Sequence, residues 1–272
     1  MEIIISSQKR GIFQRFKEVI SFKELLYFFI WRDVKVRYKQ TFFGVLWVII
    51  QPTLLVLIFS FIFSSLGDNN QSRIPYPVLA FIGIFFWLLF SNIITTVGNS
   101  LISNQHIIQK IYFPNILIPL ASTAVSLFDA LFMLVILVIV FLIYGIPFTG
   151  IFFLMLIFGL ILTVVIGLGL GLFLGALNVK YRDVRYILPF FIQILFFLSP
   201  VIYTFRHVPR HFGRFLVFNP LTGIIDSVQS SLVGMKVIIW NEVYLAIIVS
   251  MAVLVIGFLT FNQLEREFSD II

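Results

Sequence analysis

The sequence predicts an all-α, polytopic membrane protein of six transmembrane helices, and three observations carry that prediction. Apolar residues make up 60% of the 272, charged residues only 11%, and phenylalanine occurs 34 times. An ordinary soluble domain has about half apolar and about a quarter charged residues, so this chain has too few polar residues to cover a water-facing surface. Six runs reach the ~20 apolar residues that cross a bilayer. The Lys and Arg residues are also unevenly divided: fourteen of the nineteen fall on the N-terminal arm and alternate connections, five on the others. By the positive-inside rule this puts both termini in the cytoplasm.

Nine of the basic residues precede the first run. A cleavable signal has a short basic start and a short apolar core, so this stretch reads as a cytoplasmic arm. The chain divides into an arm and interface helix over 1–41, a transmembrane domain over 42–262 and a cytoplasmic tail over 263–272. Within the arm, Phe22, Leu26, Ile30, Val34 and Tyr38 repeat at i+4, with Leu25 and Phe29 beside them. Lys23, Arg32, Lys35 and Lys39 lie off that stripe. This is the pattern of an amphipathic helix in the membrane interface. Its cations either set topology alone or also meet an anionic headgroup.

The first run, Phe42 to Leu66, contains Gln51-Pro52, a polar side chain and a kink-permitting proline inside an apolar helix. The second, Val78 to Val97, leads into Asn99 to Phe113, a two-faced cytoplasmic segment. Asn99 or Ser100 is placed to cap a helix there and Pro114 to stop it. Its apolar face suits either a protein partner or lipid. The third run, Ile116 to Tyr144, holds one acid, Asp129, on a face shared with Asn115, Pro119, Ser122 and Ser126. With no basic residue in any span to complete a relay, Asp129 reads as a protonated or hydrogen-bonded structural acid rather than a functional one.

The fourth run, Ile151 to Leu177, carries Gly167, Gly171 and Gly175 on one line, which lets another helix approach closely. Gly169 lies off that line and reads as a source of flexibility. The fifth run is Tyr186 to Tyr203 and the sixth Val243 to Phe261. Between them, Asn219-Pro220 starts a helix and Gly234 ends it. A helix of about fourteen residues is too short to cross, so short re-entrant or interfacial helices are expected on the outer side.

Several chemistries are set aside. Without cysteine there are no disulfides, thiolate nucleophiles or cysteine metal sites. No phosphate-binding loop occurs, so any ATP is bound by another chain. His207 and His211 have a ligand-like spacing, but Pro209 lies between them and no third ligand is near; no metal is assigned.

Four segments together resemble a known family. They are Trp31-Arg32-Asp33-Val34-Lys35-Val36-Arg37-Tyr38-Lys39-Gln40-Thr41 with Gly44, Trp47 and Gln51-Pro52; Asn99 to Ile102 through Lys110 to Pro114; Tyr181-Arg182-Asp183-Val184-Arg185 with Pro189 and Gln193; and Ser199-Pro200-Val201-Ile202-Tyr203 with Pro209 and Asn219-Pro220. In this order, over nearly the whole chain, they resemble the permease subunits of ABC-2 type polysaccharide exporters, which include O-antigen, capsule and teichoic-acid exporters.

The resemblance implies a homodimer around a channel in the bacterial inner membrane. It also implies two copies of a separate ABC ATPase that bind ATP and Mg²⁺, no cofactor or catalytic residue on this chain, and no nucleic-acid partner. The implied substrate is a polysaccharide on polyprenyl diphosphate. Arg32, Lys35, Arg37, Lys39, Arg182 and Arg185 then stand at the headgroup level. Tyr38, Phe42, Trp47, Gln51, Phe196, Phe197 and Tyr203 become candidates for the channel wall. Asn104, Gln105, His106, Ile108, Lys110, Ile111 and Tyr112 become candidates for ATPase coupling. Two other readings compete: an ABC-2 permease for a drug or other small molecule, and a membrane-embedded glycosyl- or acyltransferase. The latter needs partnered acids or histidines at the interface.

Overall fold

The computed structural model describes residues 18–39, 45–66, 74–181, 183–203, 216–234 and 238–271. The helices, in chain order, are α1 (Lys23–Lys39), α2 (Val45–Leu66), α3 (Tyr76–Ser103), α4 (Gln105–Ile108), α5 (Leu117–Ile143), α6 (Gly150–Lys180), α7 (Val184–Phe197), α8 (Pro220–Ser231) and α9 (Trp240–Ile271). No strand occurs among the described residues. Among the described residues four helices are long and apolar enough to cross a membrane: α3, α5, α6, and α9 as far as Glu265. Shorter apolar stretches occupy α2 and α7.

The core is built around α3. Every residue from Ala80 to Phe90 is buried. A helix that is apolar all round needs cover on every side; here α6, α5, α2, α8 and α7 supply it. α6 lies between α3 and α9, and glycines make both approaches close. Towards α3, a Cβ on Gly167 would sit 3.0 Å from Ile93 Cγ2, one on Gly171 2.7 Å from Val97 Cβ, and one on Gly175 3.1 Å from the Val97 carbonyl oxygen. The Gly167–Gly175 line therefore packs within the chain. Towards α9, a Cβ on Gly257 would lie 2.0 Å from the Gly169 carbonyl oxygen, and one on Gly169 2.7 Å from Leu254 Cα. Gly169 is thus a second packing position rather than a source of flexibility.

Local chemistry explains most helix ends. Gly145 has φ +62°, and the Ile146 N–H returns 3.0 Å to the Phe141 carbonyl, closing α5. The Thr149 hydroxyl oxygen accepts from the Phe152 N–H at 3.3 Å and caps α6. Asn219 accepts from the Leu221 N–H at 3.1 Å and caps α8, whose trailing Gly234 has φ +139°.

Three expectations are corrected. Asn99 and Ser100 do not begin a separate helix; α3 runs through to Ser103. Their side chains bond back to their own helix, Asn99 Nδ2 to the Thr95 carbonyl at 2.9 Å and Ser100 Oγ to the Val97 carbonyl at 2.7 Å, and so do not cap a new one. What remains of the expected helix is the single turn of α4.

The fifth run is a helix of only 14 residues. It ends where Ser199 Oγ bonds back to the Leu195 carbonyl at 2.8 Å and Pro200 has no N–H to continue the ladder. At ~1.5 Å per residue it covers about 21 Å.

The arm helix does not lie flat against lipid. Phe29 packs among Phe113, Leu117, Ile118 and Ala121 at the start of α5. Nine residues further along α1, Tyr38 meets Phe128, Asp129 and Phe132. Both intervals correspond to about 12–18 Å of helix, so α1 runs alongside α5. Its apolar stripe, Phe22, Leu25, Leu26 and Ile30, packs on that protein surface.

Candidate functional site

Two places concentrate polar groups inside the apolar bundle. At the basic end, α1 is fastened to its neighbours at successive levels. Phe29 fills the hollow beneath the elbow formed by the end of α3, α4 and the start of α5, its ring centroid 5.4 Å from that of Phe113. Arg32 lies over the Phe29 ring at 5.1 Å. Its Nε donates to Asp33 Oδ1 at 2.8 Å and its Nη2 to Asn104 Oδ1, in the elbow, at 2.6 Å.

Nearly two turns further on, the Tyr38 hydroxyl donates to Asp129 Oδ1. Arg37 Nη2 sits 2.6 Å from Asp129 Oδ2. That second contact is an ion pair whose N–H is not aimed squarely at the oxygen. Asp129 is only 1% exposed, while a third of the Arg37 side chain reaches solvent or lipid. Burial, with the Asp129 carboxylate beside it, pushes the Tyr38 hydroxyl well above the ordinary phenol range, so it stays protonated and donates.

Lys35 and Lys39 of α1 are exposed. Lys35 Nζ lies 4.8 Å from the Trp31 ring centre. Arg32, Lys35 and Lys39, with Phe28, Trp31 and Val36, line an open groove of about 350 Å³ along α1. Cations and apolar rings on one face offer both a charge and a greasy wall to an amphiphile. Arg185 is exposed in the first turn of α7, and Arg182 and Phe42 lie outside the described residues.

On the elbow, His106, Lys110, Ile111 and Tyr112 are exposed, while Asn104, Gln105 and Ile108 are half-buried. Asn178 of α6 holds the elbow's approach, its Nδ2 donating to the Gly98 carbonyl at 2.9 Å and to Asn99 Oδ1 at 3.3 Å.

The second place lies at the opposite end. After α7 the chain turns at Leu198–Tyr203. Gly83 of α3 admits this turn; a Cβ there would meet the Val201 carbonyl oxygen at 2.3 Å. The Tyr76 hydroxyl donates to the Ile202 carbonyl at 2.7 Å. Asn219 Nδ2 donates to the Leu198 carbonyl at 3.0 Å and to Ser199 Oγ at 2.8 Å, while its oxygen caps α8. All twelve residues of α8 are buried, so this helix dips into the protein against α9, α6 and α3. Gln229 Nε2 fastens it to the Leu79 carbonyl at 2.9 Å.

Asn219→Asp keeps the capping oxygen and removes both donated bonds, whereas Asn219→Ala removes all three. The alanine variant is expected to lose about 2 kcal/mol and the aspartate variant roughly half of that. Thermal unfolding of the detergent-extracted protein measures both; equal melting of all three proteins would mean that the clamp contributes nothing.

Among the channel-wall candidates, Trp47 and Gln51 are exposed on α2 and Phe197 on α7. Phe196 meets the Trp87 ring edge-on at 5.3 Å. The Tyr203 hydroxyl turns back to the Phe197 carbonyl at 3.4 Å, and Tyr38 is drawn inward to Asp129. Among the described residues no cluster of three or more His, Asp or Glu is placed to hold a metal. His207 and His211 lie outside them.

The site that sequence reasoning missed is the Arg37–Asp129 pair. Looking for Asp129's partner within the spans overlooked a cation on the arm, and the only available signal was that an acid in an apolar run needs one.

Comparison with known proteins gives this geometry a context. The family model described as ABC-2 type transporter matches residues 24–233. The chain is 28% identical over 248 residues to an O-antigen export system permease protein RfbA of Klebsiella pneumoniae, covering 89% of this chain and 92% of that protein. It is 25% identical over 223 residues to RfbA of Myxococcus xanthus, covering 79% and 82%. It is 23% identical over 199 residues to the polysialic acid transport protein KpsM of Escherichia coli, covering 72% and 76%.

Proposed function

Since the chain belongs to the ABC-2 type transporter family, we propose that it is the permease subunit of an exporter that carries a polysaccharide across the bacterial inner membrane. The observation that carries this reading is the similarity to O-antigen and polysialic acid permeases along most of the chain, with the family model spanning α1 to the end of α8. Transport, not catalysis, is the work of this chain, and ATP hydrolysis belongs to a separate ABC ATPase present in two copies.

Six crossings follow if α2, with 22 residues and about 33 Å of helix, spans alone and α7 spans together with the turn after it. Both termini are then cytoplasmic, and the basic end of α1, the elbow and the start of α7 face the cytoplasm. A second copy completes the channel. The exposed faces of α2 and α7 turn towards it, because Gln51 and Gln193 are exposed on otherwise apolar helices, and an amide facing lipid is costly. The groove along α1 is the receiving surface for the diphosphate of a polyprenyl-linked glycan, and Arg182 and Arg185 remain further candidates for the same headgroup. Guanidinium groups pair with phosphate oxygens in a bidentate way that ammonium groups cannot match. The elbow is the docking point for the ATPase, since ATP can move the bundle only through contacts that differ between states.

Deleting the gene and identifying the lipid-linked glycan that accumulates inside the cell tests the substrate class; unchanged glycan export with altered drug resistance would favour a small-molecule permease. The docking assignment predicts that cysteines introduced at His106 or Lys110 crosslink to the ATPase partner, whereas crosslinks confined to the arm would place the contact elsewhere.

A further inference from the structure

Asp129 places a carboxyl group in the middle of α5, where it is 1% exposed and flanked by Phe128 and Phe132, both packed against Tyr38. A carboxylate stays ionised in such surroundings only when another group compensates it. The arm supplies that group. The other cations of α1 have different surroundings: Arg32 lies on Asp33 and Asn104, Lys35 over Trp31, and Lys23 and Lys39 are exposed. Only Arg37 reaches Asp129 among the described residues, and Tyr38 occupies the second carboxylate oxygen.

Apolar contact alone tolerates sliding of α1 along α5. A charged pair that meets at one residue of each helix fixes both depth and register. The consequence extends to α2. From Lys39 to Val45 the chain makes six steps of at most ~3.6 Å, so α2 starts within about 22 Å of the point where α1 is held. Arg32 ties the same helix to Asn104 of the elbow.

We propose that Asp129 is a positioning residue for export: through Arg37 and Tyr38 its buried carboxylate seats α1 against α5, and so limits how far from the elbow α2 can begin. The proposal rests on the export reading for its functional half; its structural half stands on the ion pair alone.

The test uses the natural absence of cysteine. Phe29, 3% exposed beneath the elbow, is replaced by cysteine, and every variant is built in that Phe29→Cys background in intact cells. Labelling by a membrane-permeant maleimide reports whether α1 is seated, and glycan export is read in parallel. Arg37→Gln strands the carboxylate; labelling is expected to rise, and export to fall, by about tenfold or more. Adding Asp129→Asn removes the stranded charge, and both readouts are expected to return to within about twofold of the background.

If Arg37→Gln fails to accumulate, the same rescue applies to protein level: recovery on adding Asp129→Asn supports the proposal, and absence of recovery overturns it. Labelling restored without export would overturn the positioning role and make Arg37 a direct contact for the substrate phosphate. Single-variant protein that stays protected and exports normally would overturn the proposal outright. A parent strain with Phe29 intact that exports no glycan, beside variants that show the labelling pattern, would refute the export reading and leave the seating of α1 standing.

Discussion

Gly257→Ala is expected to remove most of the extractable, monodisperse protein from the membrane. The new Cβ would lie 2.0 Å from the Gly169 carbonyl oxygen, and the surrounding contacts are also backbone atoms. A flexible side chain can swing aside from an added methyl, but a carbonyl moves only with its helix. Overpacking an ordinary core costs about 1–3 kcal/mol, and a backbone obstacle puts this change at or above the upper end. That is a large share of the stability of a typical fold. The disturbed crossing, α6 on α9, is also one of the two most extensive that α6 makes. Gly150→Ala is the control, since nothing lies within 4 Å of a Cβ there. Size-exclusion profiles and melting curves after detergent extraction should separate the two variants. If Gly257→Ala melts with the parent protein, the close crossing is wrong.

Gly83→Ala should damage function more than folding. Its Cβ would sit 2.3 Å from the Val201 carbonyl oxygen and about as close as contact allows to the rest of that residue. The obstacle is a turn, not a helix, so it can yield outward, which limits the expected loss to about 2 kcal/mol. Yielding separates the Tyr76 hydroxyl from the Ile202 carbonyl and moves the end of α7, where Phe196 and Phe197 stand. Export is expected to fall by about tenfold at protein levels near the parent's, in keeping with the sensitivity of a positioned site to an ångström-scale shift. Normal export from a stable Gly83→Ala protein would remove α7 and its turn from the substrate path.

Hydropathy made the long helices legible, because a bilayer asks one simple thing of a sequence: about 20 apolar residues in a row. The observed bounds of α5, Leu117–Ile143, fall within two residues of the expected run, and the Asn219 cap of α8 is readable from turn chemistry, although α8 stops at Ser231, short of the expected end at Gly234. Where hydropathy ran past a local chemical stop, it misled. The apolar run continues through Leu198, yet Ser199 and Pro200 end the helix. Where polar side chains bonded backwards to their own helix, the expected start at Asn99 vanished. Composition alone also cannot say whether an apolar stripe meets lipid or protein, which is why α1 was expected in the interface and instead lies along α5. The Arg37–Asp129 pair was the least legible part of the site. Ninety-two positions separate the two residues, and nothing local in either segment points to the other.

The shortness of α7 and the polarity of α8 bear on how such a protein is made. A segment leaving the translocation machinery is released into lipid when its own apolar length suffices. α7, at 14 residues, reaches the length of a span only with the turn after it, and α8 brings Thr222, Asp226, Ser227, Gln229, Ser230 and Ser231 into the bundle, a set that lipid alone would reject. Neither helix can settle by partitioning one at a time. Both need a prepared surface, and α3 and α6 precede them in the chain and form the walls against which they pack. The second half of the molecule is therefore moulded onto the first during biogenesis, with α9 following to close the far side of α6. Truncation before α9 leaves α8 without one of its walls, an exposed polar helix for the cell's membrane proteases to find.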